Sequence, residues 1–281
     1  MTYVSILVNV DVDAPVAPIA KLAVDLGRRF NARRLLGFCA ADAAIPLVIT
    51  PETGALLADA WQQLRNDLFH QFARLREEFD DAVGGSIAAD WIQALDHPTR
   101  SLGEAAHMAD LIVMRSPQDA ATDNLFRSAD PGAVVLQAGR PVLITPNTCE
   151  RISAKKVVIA WKNTREARRA VMDAVPMLHA AAEVTVVAVD DEPDDWLRAG
   201  MRNVDTAQNV ASFLLHHGVR VATEVLTSRD ETDALLRFLA SFEADLVVSG
   251  AYGHSRVREW AFGGMTRSLL DQTGISRLMA S

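Results

Sequence analysis

Short β-branched runs alternate along this chain with longer segments whose apolar positions recur every three or four residues. Val184-Thr185-Val186-Val187-Ala188-Val189 is a run of the first kind and suits a parallel strand covered on both faces. Leu235, Leu236, Leu239 and Phe242 are of the second kind: they share one helical face, with Arg237 and Glu243 off it. In the C-terminal half the pattern predicts strands at about 156–162, 183–190, 219–226, 245–249 and 276–279, and helices at about 164–181, 200–217, 229–243 and 265–273. Strand–helix units joined by right-handed crossovers wind a parallel sheet with helices on both faces.

The chain also repeats itself. Ala109-Asp110-Leu111-Ile112-Val113 matches Ala244-Asp245-Leu246-Val247-Val248 at an offset of 135 residues, which also carries Gly139 onto Gly274 and Leu143 onto Leu278. Nearer the starts, Ser5-Ile6-Leu7-Val8-Asn9-Val10-Asp11 parallels Lys156-Val157-Val158-Ile159-Ala160-Trp161-Lys162 at an offset of 151. The N-terminal half therefore carries about 16 extra residues, expected around Ala41 to Ala60 as a longer loop entering a helix. The predicted fold class is α/β: two repeated doubly wound domains, each a five-stranded, mainly parallel sheet. The first covers residues 1–146 and the second 156–281, with a polar, unpatterned linker at 147–155.

Open α/β sheets bind ligands beyond the carboxyl ends of their strands. After the fourth strand of the second half comes Gly250-Ala251-Tyr252-Gly253-His254-Ser255-Arg256, and a few residues later Gly263-Gly264-Met265-Thr266. Glycines let backbone approach a ligand closely, and a helix start offers N–H groups to a phosphate. His254, Arg256, Arg258 and Arg267 make this the most basic stretch of an acidic chain, and Thr266 and Ser268 add hydroxyls. No Gly-Lys-Ser/Thr triplet is present and no G-x-G-x-x-G follows either first strand, so neither a P-loop nor a dinucleotide fingerprint applies.

The spacing of Gly250, Gly253 and Gly263 resembles the nucleotide loop of the universal stress protein family: Gly, two residues, Gly, nine residues, Gly, then Ser or Thr. The order of elements in both halves resembles a tandem member of that family. The resemblance implies a stress-response or signalling module that binds an adenine nucleotide, ATP with or without Mg, and performs no committed reaction. It makes Gly250, Gly253, His254, Arg256, Gly263, Gly264, Met265 and Thr266 the binding residues, with Lys162 at the end of the first strand. ATP-binding members usually have Asp where Lys162 stands; here the lysine either reaches a phosphate or is a solvated strand-end cation. The family also pairs its fifth strands as sheet edges. An internal pseudo-dimer is therefore expected, with a shorter second edge at Gly274 to Ser281, and further dimerisation of the whole chain is open.

The same offset of 135 puts Arg115, Gln118, Ser128 and Ala129 of the first half where Gly250, Gly253, Gly263 and Gly264 stand. Only Asp11 survives at the strand-one end, so the first half reads as degenerate or repurposed, and one nucleotide per chain is expected.

Composition narrows the alternatives. A formal charge of −8 argues against a nucleic-acid partner. Met1 to Val10 runs directly into the first strand and no apolar run reaches membrane-span length. Cys39 and Cys149 suit free thiols, and a cytoplasmic setting is expected. The acidic run Asp190 to Asp195 reads as a solvated loop, and adjacent His216 and His217 as helix-end residues. His97 and His107 complete no zinc set. Trp61, Phe69, Phe72 and Phe79 mark one face of a long helix, expected to pack. Trp161 and Trp260 are left open. No Ser-His-Asp or Cys-His constellation supports catalysis, although a slow ATPase is left open. The competing classes are a non-nucleotide adaptor of the same fold and a nucleotidyl transferase. The latter needs a His-x-x-His after a first strand, which is absent.

Overall fold

The computed structural model describes residues 2–43, 54–116, 124–190, 203–251, 264–271 and 274–281. The first half contains β1 (Ser5–Asn9), α1 (Val16–Phe30), β2 (Arg34–Ala40), α2 (Gly54–Val83), β3 (Ala88–Ala94), α3 (Pro98–Ala105), β4 (Leu111–Arg115), α4 (Pro131–Gln137) and β5 (Val142–Thr145). The second contains β6 (Lys156–Trp161), α5 (Arg165–Leu178), β7 (Glu183–Asp190), α6 (Asn203–His216), β8 (Ala222–Thr227), α7 (Glu231–Phe242), β9 (Leu246–Gly250), α8 (Gly264–Leu270) and β10 (Ser276–Ala280).

The strands form one ten-stranded sheet in the order β3-β2-β1-β4-β5-β10-β9-β6-β7-β8. Each half repeats the doubly wound order, all parallel. The halves meet where β5 and β10 pair antiparallel, Val142 opposite Met279, Leu143 opposite Leu278 and Ile144 opposite Arg277. The expected pseudo-dimer is present. The expected asymmetry is not: β10 has five residues against four in β5. Its main-chain groups are used on both sides, by β9 and by β5, so the chain's last strand is as fully paired as its counterpart.

The repeated Ala-Asp-Leu motif has a structural reason. Asp110 accepts the N–H groups of Val4 and Ser5 at 2.9 and 3.0 Å. Asp245 accepts those of Lys155 and Lys156 at 3.0 and 3.1 Å. In each half this carboxylate, at the start of strand four, satisfies donors where strand one begins and sets the register of the central pair.

Helices α1, α2, α5 and α6 cover one face of the sheet, over a single apolar cluster that runs through both halves from Phe72 and Ile6 to Val186 and Leu214. The other face carries two clusters: one under α3 and α4 that takes in Leu270 and Met279 from the second half, the other under α7 and α8. Further ties cross between the halves. The Tyr3 hydroxyl donates to the Asp173 carbonyl at 2.5 Å. Arg29 donates to the carbonyls of Ile152, Ser153 and Ala180, which pins the linker to the end of α1.

Two boundaries differ from expectation. The strand expected from 219 begins at Ala222, because Gly218 (φ 80°) closes α6 and the Val219 N–H returns to the Leu214 carbonyl at 2.9 Å. The stretch expected as a loop up to Ala60 is already helical from Gly54, so α2 runs 30 residues against 14 for α6. Ala55 to Ala60 is rich in strong helix formers, which outweigh the Pro51 and Gly54 signals. Along α2, Phe72 and Phe79 are buried whereas Trp61 and Phe69 are exposed. Trp61 stacks instead with the guanidinium of Arg65, 4.4 Å from the ring centroid.

Asp110→Ala and Asp245→Ala should each lower the unfolding free energy by about 1 kcal/mol, since each frees two strand-start donors at partly exposed sites. Denaturant titration of the single and double variants checks this, and the two losses should add because the sites share no partner.

Candidate functional site

Strands β6 and β9 are neighbours, and the chain leaves their carboxyl ends in opposite directions along the sheet. That divergence opens the crevice in which doubly wound sheets hold ligands. Lys162 follows β6, and Gly250 ends β9.

Gly250 is shaped by its neighbour on the sheet face. A Cβ built there would lie 2.4 Å from the Ala167 nitrogen and 2.7 Å from the Glu166 carbonyl carbon. The first turn of α5 therefore rests directly on bare backbone. Thr164 caps that turn by accepting the Ala167 N–H at 3.2 Å. The missing side chain at Gly250 thus serves helix packing, a use that the loop spacing alone does not distinguish from ligand approach. Trp161 is buried on the same side, its indole N–H donating to Thr206 Oγ1 at 3.0 Å.

Lys162 is tied rather than free. Its ammonium donates to both carboxylate oxygens of Glu231, at 3.0 and 3.1 Å, and so bridges the end of β6 to the first turn of α7. Glu231 escaped the sequence reading; an acidic residue in the first turn of a helix is ordinary dipole complementation, so nothing in the sequence marked it as Lys162's partner. The Lys162 side chain is 60% exposed, so the pair adds little stability and its ammonium is available to exchange partners.

On α8, Gly264 is exposed, and a Cβ built there meets no heavy atom within 4 Å. Met265 packs against the cluster of Leu235, Leu239 and Leu269, and Thr266 is buried. α7 is thus the common neighbour of Lys162, through Glu231, and of Met265, through the core. Gly253, His254, Arg256 and Gly263 lie outside the described residues, as do Arg258 and Trp260.

The matching place in the first half is laced with charge. Arg115, in the position of Gly250, is 4% exposed, and its guanidinium donates to the Pro15 carbonyl at the start of α1. Where α5 rests on glycine, α1 is held by an arginine. Arg127 grips Asp13 with two bonds of 2.6 and 2.7 Å and also donates to Gln71. Ser128 and Asn9 donate to Asp11 at 3.2 and 3.1 Å. The bonds from Arg115 to Pro15, Arg127 to Asp13 and Ser128 to Asp11 run from the side following strand four to the side following strand one, across the crevice that the second half keeps for Gly250 and Lys162. Burial pushes the Asp11 carboxyl up, against the pull of Arg115 and the two donors. The hydrogen bond from Arg127 holds Asp13 below the usual carboxylate range.

Other candidates resolve simply. His216 Nδ1 lies 2.7 Å from the Ser212 carbonyl, while His217 packs against Phe213 at a tilt of 54° with centroids 4.5 Å apart, so the two do not converge. His107 bonds the Glu104 carbonyl, and His97 precedes α3 without capping it. Cys39 and Cys149 are free thiols. Among the described residues no group of three or more His, Cys, Asp or Glu is placed to hold a metal. Most of the acidic run lies outside them.

Gly250→Ala should cost about 1–3 kcal/mol of stability whether or not a ligand is bound, because the new methyl meets backbone rather than a side chain that can turn away; chemical unfolding checks it. Asp13 makes a second prediction. Its folded pKa is depressed, so its contribution is complete above the unfolded carboxylate value of about 4 and is lost as pH falls through the lower folded value. Asp13→Asn should be less stable at pH 7 and show a flatter stability profile than wild type at acid pH. Asp11, raised chiefly by burial, acts with the opposite sign in both proteins, and loss of the Asp13 charge lessens that rise.

Residues 153–280 match the universal stress protein family. A universal stress protein of Synechocystis is 27% identical over 143 residues, 50% of this chain; the chain spans 47% of that relative's length. A universal stress protein from Archaeoglobus fulgidus superposes with a TM-score of 0.71 at 13% identity, covering 99% of this chain and 96% of that one. A Pseudomonas aeruginosa protein of unknown function superposes with a TM-score of 0.55 at 16% identity, covering 99% and 92%. The C-terminal half thus matches the universal stress protein family, and the whole chain shares the fold of the Archaeoglobus fulgidus universal stress protein.

Proposed function

We propose that the C-terminal half binds one adenine nucleotide, ATP with or without Mg, and that the chain works as a nucleotide-responsive stress or signalling module rather than as an enzyme. One observation carries this reading: the two halves treat the same crevice oppositely. The first fills it with Arg115, Arg127, Asp13 and Ser128. The second keeps glycine at Gly250 and at Gly264, with open space around Gly264. A crevice lined by backbone suits phosphate oxygens; one crossed by paired side chains excludes them by volume.

The residues fit the group. Backbone N–H groups of Gly253, Gly263 and Gly264 would face phosphate oxygens, with Met265 and Thr266 shaping the segment behind them. His254, Arg256, Arg258 and Arg267 supply cations, and Lys162 stands at the strand-one side, where it could leave Glu231 for a phosphate. The nucleotide's own contribution is charge and binding energy: bound to the folded state alone, it stabilises that state in proportion to the logarithm of its concentration. The cytoplasm supplies ATP and keeps Cys39 and Cys149 reduced, and we place the function there. No helix among the described residues is long and apolar enough to cross a membrane.

The adaptor reading has one observation in its favour, since packing of α5 requires Gly250 with or without a ligand. The two readings separate by titration. Calorimetry of the full chain with ATP and Mg should give one site per chain. Gly264→Val should keep wild-type stability within about 0.5 kcal/mol, because its side chain enters open space, and yet weaken ATP at least tenfold. Equal affinity in that variant overturns the site. No binding heat, and no nucleotide released from the purified protein, supports the adaptor.

A further inference from the structure

Among the described residues the largest fully buried side chain is a cation. Arg277, in β10, is 1% exposed and stands opposite Ile144 in the seam between the halves. Its Nη1 donates to the carbonyls of Leu269 and Leu270, at 3.1 and 3.3 Å. These are the last two residues of α8, whose carbonyls have no partner within the helix and form the negative end of its dipole. A buried guanidinium with two acceptors therefore fastens the end of α8 to the strand that joins the halves.

The offset of 135 places Val142 where Arg277 stands, in an apolar part of β5. At this strand position the cation belongs to the half that keeps the glycine loop. Burying an arginine is costly unless its hydrogen bonds are made, so an apolar residue would have been the simpler choice for stability alone. α8 is about 10 Å long at 1.5 Å per residue. A rod of that length, held at its last turn, cannot tilt without moving Gly264, Met265 and Thr266.

We propose that Arg277 is a positioning residue for the nucleotide site: it fixes the segment carrying Gly264, Met265 and Thr266 and couples that segment to the β5–β10 seam. This rests on the nucleotide reading above. It adds a consequence that the reading alone does not contain, namely that ATP binding is felt at the junction of the halves. By reciprocity, whatever tightens the seam also tightens binding.

The test uses the full chain with Arg277→Met, similar in length but without donors, and Arg277→Lys, which keeps the charge and part of the bonding. Amide hydrogen exchange and ATP calorimetry are read together. In Arg277→Met, amides of 264–271 should exchange at least tenfold faster while those of α1 keep wild-type rates, and ATP should bind at least fivefold more weakly. Arg277→Lys should fall between, and it alone decides the matter if Arg277→Met does not fold. In wild type, ATP should slow exchange at 142–145 and 276–280, and this remote protection should shrink in the variants; a purely structural role would not move that last readout. Unchanged exchange at 264–271 in a folded variant overturns the proposal. So does ATP affinity within twofold of wild type. Failure of the wild type itself to bind ATP overturns the nucleotide reading, and the positioning role with it.

Discussion

The antiparallel pairing of β5 with β10 is the constraint on which the rest of this molecule depends. A five-stranded sheet of this order ends, on one side, in its fifth strand. Left alone, each half would present a row of unpaired N–H and C=O groups beside an apolar face. Joining the two edges removes both liabilities at once. It also makes the cores continuous: one cluster runs from Phe72 through Leu143 and Leu278 to Leu214 without a break at the chain's midpoint. The remaining edges, β3 and β8, lie at the far ends of the sheet. The halves are distinct as sequence repeats but share one folding unit, which is why the linker can be short and still be pinned by Arg29.

Duplication then freed one crevice to change. At the carboxyl ends of β1 and β4, Arg115 reaches the start of α1, while Arg127 and Ser128 reach Asp13 and Asp11. Each of these bonds joins the side following strand four to the side following strand one. A ligand in the same crevice would bridge the same two sides. The first half has internalised that bridge as covalently attached charge, always present and without a concentration dependence. If the second half binds a nucleotide as proposed, its bridge comes from outside and its stability follows mass action.

The sequence carried the fold because the fold is periodic. The Ala-Asp-Leu repeat, the β-branched runs and the helical faces all report local geometry, and the structure follows them to within a few residues except where a helix exit or a helix start competes with them, as at Gly218 and Gly54. The site was legible in part. Spacing singles out Gly250, but its close contact with α5 depends on how that helix crosses the strand end, which no local pattern encodes. Glu231 and Arg277 were invisible for the same reason. A glutamate at a helix start and an arginine near a chain's end read as solvated residues; partners 69 and 8 residues away make them otherwise.

Those two hidden residues bear on one question: how the proposed site, with its glycine backbone, would keep its shape. Glycine gives close approach but forfeits the side-chain packing that would hold a loop in place. The described part of the site is steadied from its margins. Thr164 fixes the turn of α5 that rests on Gly250, Glu231 fixes Lys162 to α7, and Arg277 fixes the far end of α8. Each anchor lies at the margin of the described residues, and each draws on a different element of the second half. A backbone crevice supported this way can be open to phosphate and still be ordered, because the stiffness comes from charge and capping at the surrounding helix ends and not from side chains inside it.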